Sequence, residues 1–64
     1  MEEAYRRARI EEVMEFDGQY VILYEDGVGY VTGTLRVKGA EIFLKDIEGV
    51  EKRIGLEELN VFNE

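Results

Sequence analysis

Apolar residues in the middle of the chain fall into short runs, each ending in a turn that contains glycine. Residues 19–25, QYVILYE, carry apolar side chains at both parities: Tyr20, Ile22 and Tyr24 on one, Val21 and Leu23 on the other. This predicts a central strand covered on both faces. Asp26-Gly27 then predicts a type I′ hairpin turn, in which both central residues need positive φ. A long strand follows over 28–37, with Val31, Leu35 and Val37 sharing a face with Gly29 and Gly33. Lys38-Gly39 turns the chain into a strand over 40–47, where Ile42 and Leu44 point inward and Phe43 points out or under a neighbour. Glu48-Gly49 leads into a strand over 50–54, and Gly55 breaks it. Leu56 and Leu59, spaced i,i+3, predict a single 3₁₀ turn over 56–59. A last short strand over 60–62 pairs back onto an early strand.

The N-terminal quarter has a different pattern. Residues 2–8, EEAYRRA, are strong helix formers with acid-then-base pairs Glu2/Arg6 and Glu3/Arg7 at i,i+4. The apolar stripe Ala4, Tyr5, Ala8 would next fall on Glu11, Glu12 and Glu15, which ends the predicted helix near Ala8 or Arg9. Residues 9–16 then read as a first strand, because Phe16-Asp17-Gly18-Gln19 is a hairpin signal that needs a strand on each side. The alternation is imperfect, and a bulge near Glu11-Glu12 would repair it. A helix running to Met14 would instead gather Ile10, Val13 and Met14 on one face.

Glycine inside a strand costs stability, so Gly29 and Gly33 on the inward parity call for a reason. The structural one is a sharp bend, where a strand that curls between two sheets has no room for a Cβ. The functional one is a glycine-lined ligand cleft. With Gly18, Gly27, Gly39 and Gly49 as turn residues, the pattern predicts a mainly β, five- to six-stranded, strongly bent antiparallel barrel. It has a short N-terminal helix at 2–8, a barrel over 9–62 and a 3₁₀ turn before the last strand, all in a single domain spanning 1–64.

Composition removes most site chemistry. The 64 residues include no Cys, His, Pro, Ser or Trp. Disulfides, thiolate and imidazole metal sites, serine nucleophiles and the usual general base near neutral pH are therefore excluded. No catalytic residue, cofactor or metal is expected. Fifteen acidic against eight basic residues give a net charge of −7, which works against phosphate backbones and anionic membranes. No apolar run approaches the roughly 20 residues of a membrane span, so a soluble chain is expected. The missing residue types, the Glu/Lys/Arg/Asp surface and the regular turns are how a designed sequence is written. A hyperthermophile origin competes, although such proteins gain proline in loops.

The order of helix, bent meander, 3₁₀ turn and closing strand resembles the Sm-like and Src-homology-3-like small barrels. Tyr24-Glu25-Asp26-Gly27 followed by Tyr30-Val31-Thr32-Gly33-Thr34-Leu35 is similar to the Sm-like pattern of a strand, Asp-Gly, and a strand with Gly-x-Leu. The tail IGLEELNV at 54–61 is similar to that of YolD-like proteins. The resemblance covers about residues 20–62 and implies the barrel. For Sm-like proteins it also implies oligonucleotide binding, which the net charge disfavours.

Three clusters merit a chemical reading. Glu11, Glu12 and Glu15 lack the ligand spacing of a calcium loop and read as a charged edge. Glu57-Glu58, adjacent on a tight turn, point in different directions and read as a solvated face. Tyr20, Tyr24 and Tyr30, with Phe43, form a candidate binding face for a peptide or a second copy of the chain. The competing reading is cross-strand aromatic packing. No partner is required by the sequence.

Overall fold

The computed structural model describes residues 4–62. The elements in chain order are β1 (Tyr5–Arg7), α1 (Ile10–Glu15), β2 (Tyr20–Glu25), β3 (Gly29–Lys38), β4 (Glu41–Lys45), β5 (Glu51–Ile54), a 3₁₀ turn (Leu56–Glu58) and β6 (Leu59–Phe62). The six strands form one antiparallel sheet in the order β1-β6-β2-β3-β4-β5. The ladder does not close: β1 and β5 are its two edges.

The meander matches its alternation. Leu23, Leu35, Ile42, Leu44 and Ile54 are buried on one face of the sheet, together with Leu59 and Val61 of β6. Burying each such side chain stabilises the fold by about 1.5–3 kcal/mol. The outer face of β2 is open, with Tyr20 and Ile22 exposed. β2 is thus central in hydrogen bonding but buried on one face only, because the helix packs on the other side of the sheet through the buried Val13.

At the N-terminus the expected elements are exchanged. Residues 5–7 are a strand, paired Tyr5↔Phe62, Arg6↔Val61 and Arg7↔Asn60. A helix this short is marginal on propensity alone, and the unpaired edge of β6 offers these residues a full set of backbone partners. Glu2 and Glu3 lie outside the described residues. Arg6 is engaged by Glu12 and Arg7 by Asp26.

Residues 10–15, read as a strand by the hairpin argument, are the helix. Val13 packs into the core with Ile10 against it, which is helical spacing. Glu11 and Glu12 occupy the first turn, where the helix dipole favours negative charge. Glu12 Oε1 accepts the Arg9 backbone N–H at 3.1 Å.

Asp17-Gly18 therefore leads from helix to strand and is no hairpin turn. It completes the sheet in another way. β2 pairs with β3 only as far as Thr34. Beyond that point Gly18 N–H donates to the Leu35 carbonyl (2.6 Å) and Leu35 N–H to the Gln19 carbonyl (2.9 Å). Val37 N–H donates to the Asp17 carboxylate at 2.9 Å. A turn and one side chain thus stand in for a strand.

The type I′ geometry is also absent at Asp26-Gly27. No non-glycine residue takes positive φ among the described residues, so only Gly27 (+80°) does so in that turn. Gly18, Gly29, Gly33, Gly39 and Gly49 share the positive sign. β4 stops at Lys45, short of the expected 47, because Asp46 builds a loop. Its Oδ1 accepts the N–H groups of Glu48 (2.9 Å) and Val50 (3.0 Å).

The bend in β3 lies at Gly33. Residues up to Thr34 pair with β2, and Thr34 to Lys38 pair with β4. A Cβ on Gly33 would stand 2.6 Å from the Lys45 carbonyl oxygen, and its φ is +154°. The close neighbour is protein backbone, which accounts for the glycine by curvature.

Candidate binding face

The outer face of β1, β6, β2 and β3 carries a ring quartet. Tyr5 stacks on Tyr24, with centroids 4.3 Å apart and planes 19° apart. Tyr24 meets Tyr30 edge-on at 5.6 Å, and Tyr30 stacks on Phe62 at 5.7 Å and 23°. Phe62 meets Tyr5 edge-on at 6.4 Å, so the contacts form a cycle. The register explains it: Tyr24 lies opposite Tyr30, and Tyr5 opposite Phe62. Such pairs contribute about 0.5–1.5 kcal/mol each beyond area burial. Tyr30 nevertheless remains 71% exposed and Phe62 37% exposed.

Of the four predicted face residues, the structure brings Tyr24 and Tyr30 together and leaves Tyr20 and Phe43 apart. Tyr20 sits four residues from Tyr24 along β2, and no ring contact joins it to the quartet among the described residues. It is 69% exposed and lines a separate groove with Thr34, Arg36, Lys45, Asp46 and Ile47. Phe43 lies in register between Arg36 and Arg53, with the Lys38 ammonium 5.0 Å from its ring centre. Tyr5 and Phe62 were missed because they come from opposite ends of the chain. The outward parity of Phe62 in the last strand was the available signal.

A polar network lies beneath the quartet. Asn60 is 5% exposed, and its Nδ2 donates to the Tyr24 carbonyl (3.1 Å), Asp26 Oδ1 (2.9 Å) and the Glu58 carbonyl (3.3 Å). Asp26 also binds Arg7 at 2.8 Å. Arg7, and then Asn60, hold the Asp26 carboxyl below its ordinary pKa. The network ties β1, the β2–β3 turn and β6 together.

The carboxylates do not converge. Among the described residues no three acidic side chains are grouped to hold a metal ion. Glu12 is committed to a two-pronged pair with Arg6 at 2.7 and 2.5 Å. Its hydrogen bonds from Arg6 pull its pKa down to about 2. Glu57 and Glu58 share the 3₁₀ turn, where the Glu58 carbonyl accepts the Asp26 N–H at 2.8 Å.

A largely apolar recess of about 300 Å³ is lined by Val31, Leu44, Val50 and Ile54, with Thr32, Asp46 and Lys52. Lys52 Nζ lies 3.3 Å from the buried Glu25 carboxylate. No helix among the described residues is long and apolar enough to cross a membrane. Comparison with known protein families, with curated proteins and with solved structures found no match for the chain.

Proposed function

We propose that the chain is a small-barrel scaffold of the Src-homology-3-like/Sm-like shape, designed rather than evolved, with the fold itself as its purpose. The observation that carries this reading is the backbone. Every positive φ among the described residues falls on glycine, and no peptide bond there is cis. That economy is a mark of idealised backbones. The switch of β3 from β2 to β4 at Gly33-Thr34 supports the barrel class. Thermal unfolding tests the proposal. A hyperstable midpoint above about 90 °C is expected, and an ordinary mesophilic midpoint counts against it.

A second reading is favoured by the quartet. Tyr30 and Phe62 are stacked yet open, and Ile22 beside them on the same face is exposed. Contiguous apolar surface of this kind marks interaction sites. In this reading the outer face binds a second copy or another protein. Light scattering across a concentration series tests the first case: a mass fixed at 7.4 kDa at millimolar protein rules out self-association. An oligonucleotide is a weaker candidate, because seven surplus negative charges oppose it.

A further inference from the structure

We propose that the groove between Tyr20 and the loop at 46–50 is a binding site for a short acidic peptide segment carrying a large apolar side chain. The groove encloses about 490 Å³ and is distinct from the ring quartet.

The distribution of charge gives the first argument. In a chain with seven surplus negative charges, cations find carboxylates easily. Arg6, Arg7, Lys38, Lys52 and Arg53 each have one within 3.3 Å. Lys45 and Arg9 have none within 4.0 Å among the described residues, and Arg36 reaches only Asp17, at 4.0 Å. Glu51, opposite Lys45 in register, is taken by Lys38 and feels Lys45 and Arg36 only at longer range. Two of these three loosely paired cations, Arg36 and Lys45, line this one groove. They are held side by side by register, since Arg36 is two residues beyond Thr34 and Thr34 pairs with Lys45. The one carboxylate on the lining, Asp46, is already turned to the N–H groups of its own loop through Oδ1.

The loop gives the second argument. Ile47 is 99% exposed, so folding gains nothing from its side chain. The backbone presenting it is pinned. Besides the two bonds to the Asp46 carboxylate, Asp46 N–H donates to the Val50 carbonyl and Gly49 N–H to the Asp46 carbonyl, both at 3.0 Å. Tyr20, also largely exposed, lines the same groove. A fixed loop avoids the ordering cost that weakens binding by mobile segments. The arrangement receives one carboxylate on the guanidinium and ammonium, with the adjoining apolar side chain between Tyr20 and Ile47.

A nucleic acid fits less well. Two loosely paired cations neutralise few phosphates, the molecule's surplus charge repels the rest, and Tyr20 is the one ring on the groove's lining that could stack a base.

The test is an amide NMR titration with three probes: the capped peptide Glu-Glu-Leu-Phe-Glu-Glu, its all-Gln counterpart and a six-nucleotide oligothymidine. Saturable shifts are expected at Thr34, Arg36, Lys45 and Ile47 with the acidic peptide, and at least tenfold weaker binding with the Gln peptide. K45Q and R36Q should each weaken binding about tenfold, the scale of one charged hydrogen bond. I47S should weaken it several-fold while leaving the melting midpoint unchanged, because the side chain is fully exposed. Y30S, in the quartet, should leave it unchanged. The proposal is overturned by no saturable shift at millimolar peptide, by equal binding of the Gln peptide or by tighter binding of the oligonucleotide. Sensitivity to Y30S but not I47S would move the site to the quartet and overturn it equally.

Discussion

Replacing Gly33 with alanine puts a methyl group where the sheet folds over itself. The new Cβ would stand 2.6 Å from the Lys45 carbonyl oxygen and 3.1 Å from Leu44 Cγ. Ordinary contact begins near 3.4 Å, so strand β4 must retreat by roughly 0.8 Å or β3 must unbend. The nearest atom belongs to the backbone and cannot rotate away. Overpacking of this kind costs about 1–3 kcal/mol. The φ of +154° adds about 1–3 kcal/mol for an L side chain held in a sparsely populated region. Together they give an expected loss of about 2–6 kcal/mol. It is large against the roughly 3–10 kcal/mol that 64 residues provide at about 0.05–0.15 kcal/mol each. Gly29→Ala is the control: its φ is +113°, but nothing lies within 4 Å of the added Cβ. It should lose only the backbone share, about 1–3 kcal/mol. Urea unfolding followed by tyrosine fluorescence and circular dichroism measures both, since the chain has no tryptophan. If Gly33→Ala costs no more than Gly29→Ala, the close approach does not exist and the curvature argument fails.

Asp17→Ala should cost about 1 kcal/mol by removing the acceptor for Val37 N–H, with faster hydrogen exchange at that amide; Asp17→Asn, which keeps an oxygen there, should cost less. Glu12 links stability to pH. Its folded pKa, about 2, lies below its ordinary 4.5, so the pair with Arg6 contributes fully above pH 4.5 and is lost as pH falls towards 2. An NMR titration of the carboxyl checks the pKa, and Glu12→Gln should flatten that part of the acid limb. Asn60→Asp exchanges a donor for an oxygen facing the Asp26 carboxylate and two carbonyls. It should cost about 1–3 kcal/mol at pH 7. The new carboxyl's folded pKa is raised by these neighbours, so the loss relative to Asn60→Ala should shrink as pH falls below 4. Paired urea melts at pH 7 and pH 3 read the difference, and a pH-independent gap would refute the network's geometry.

The meander was legible because its signals are local. Alternation in β3 and β4 and the Gly33 bend need only a few neighbouring residues to be read, and Leu35, Ile42 and Leu44 are buried as their parity requires. The N-terminal quarter was misread because its structure is set by distant partners. EEAYRRA has helix propensity, but Tyr5–Arg7 pairs with β6, some 55 residues on. Asp17-Gly18 carries a hairpin signal, but the bonds it makes go to Leu35 and Val37. The same cause split the aromatic face. Tyr24 and Tyr30 could be joined from one hairpin, whereas Tyr5 and Phe62 required knowing that the two ends of the chain meet. Asn60, polar in a short apolar strand, reveals its role only once Tyr24 and Asp26 are beside it.

These distant contacts decide which surfaces remain for a partner. The hairpins alone would leave two unsatisfied edges: β6 on its far side, and β3 beyond Thr34. β1 covers the first and the Asp17–Gln19 segment the second. The edges left over, β1 and β5, are short and carry Arg6 and Arg7 on one and Glu51, Lys52 and Arg53 on the other. Two copies of β5 joined antiparallel about their centre would set Lys52 against Arg53. Short charged edges oppose strand addition. Association through backbone pairing is therefore disfavoured, which leaves the faces of the sheet for the binding proposed above. There the exposed apolar groups divide into the quartet, whose rings already satisfy one another, and the Tyr20–Ile47 groove, whose Tyr20 joins no ring pair and whose Arg36 and Lys45 have no carboxylate closer than 4.0 Å among the described residues. The quartet's packing gives it a role in stability without a partner. The groove's exposed Ile47 has no such role, and so the groove is the surface where binding and folding can be separated by a single substitution.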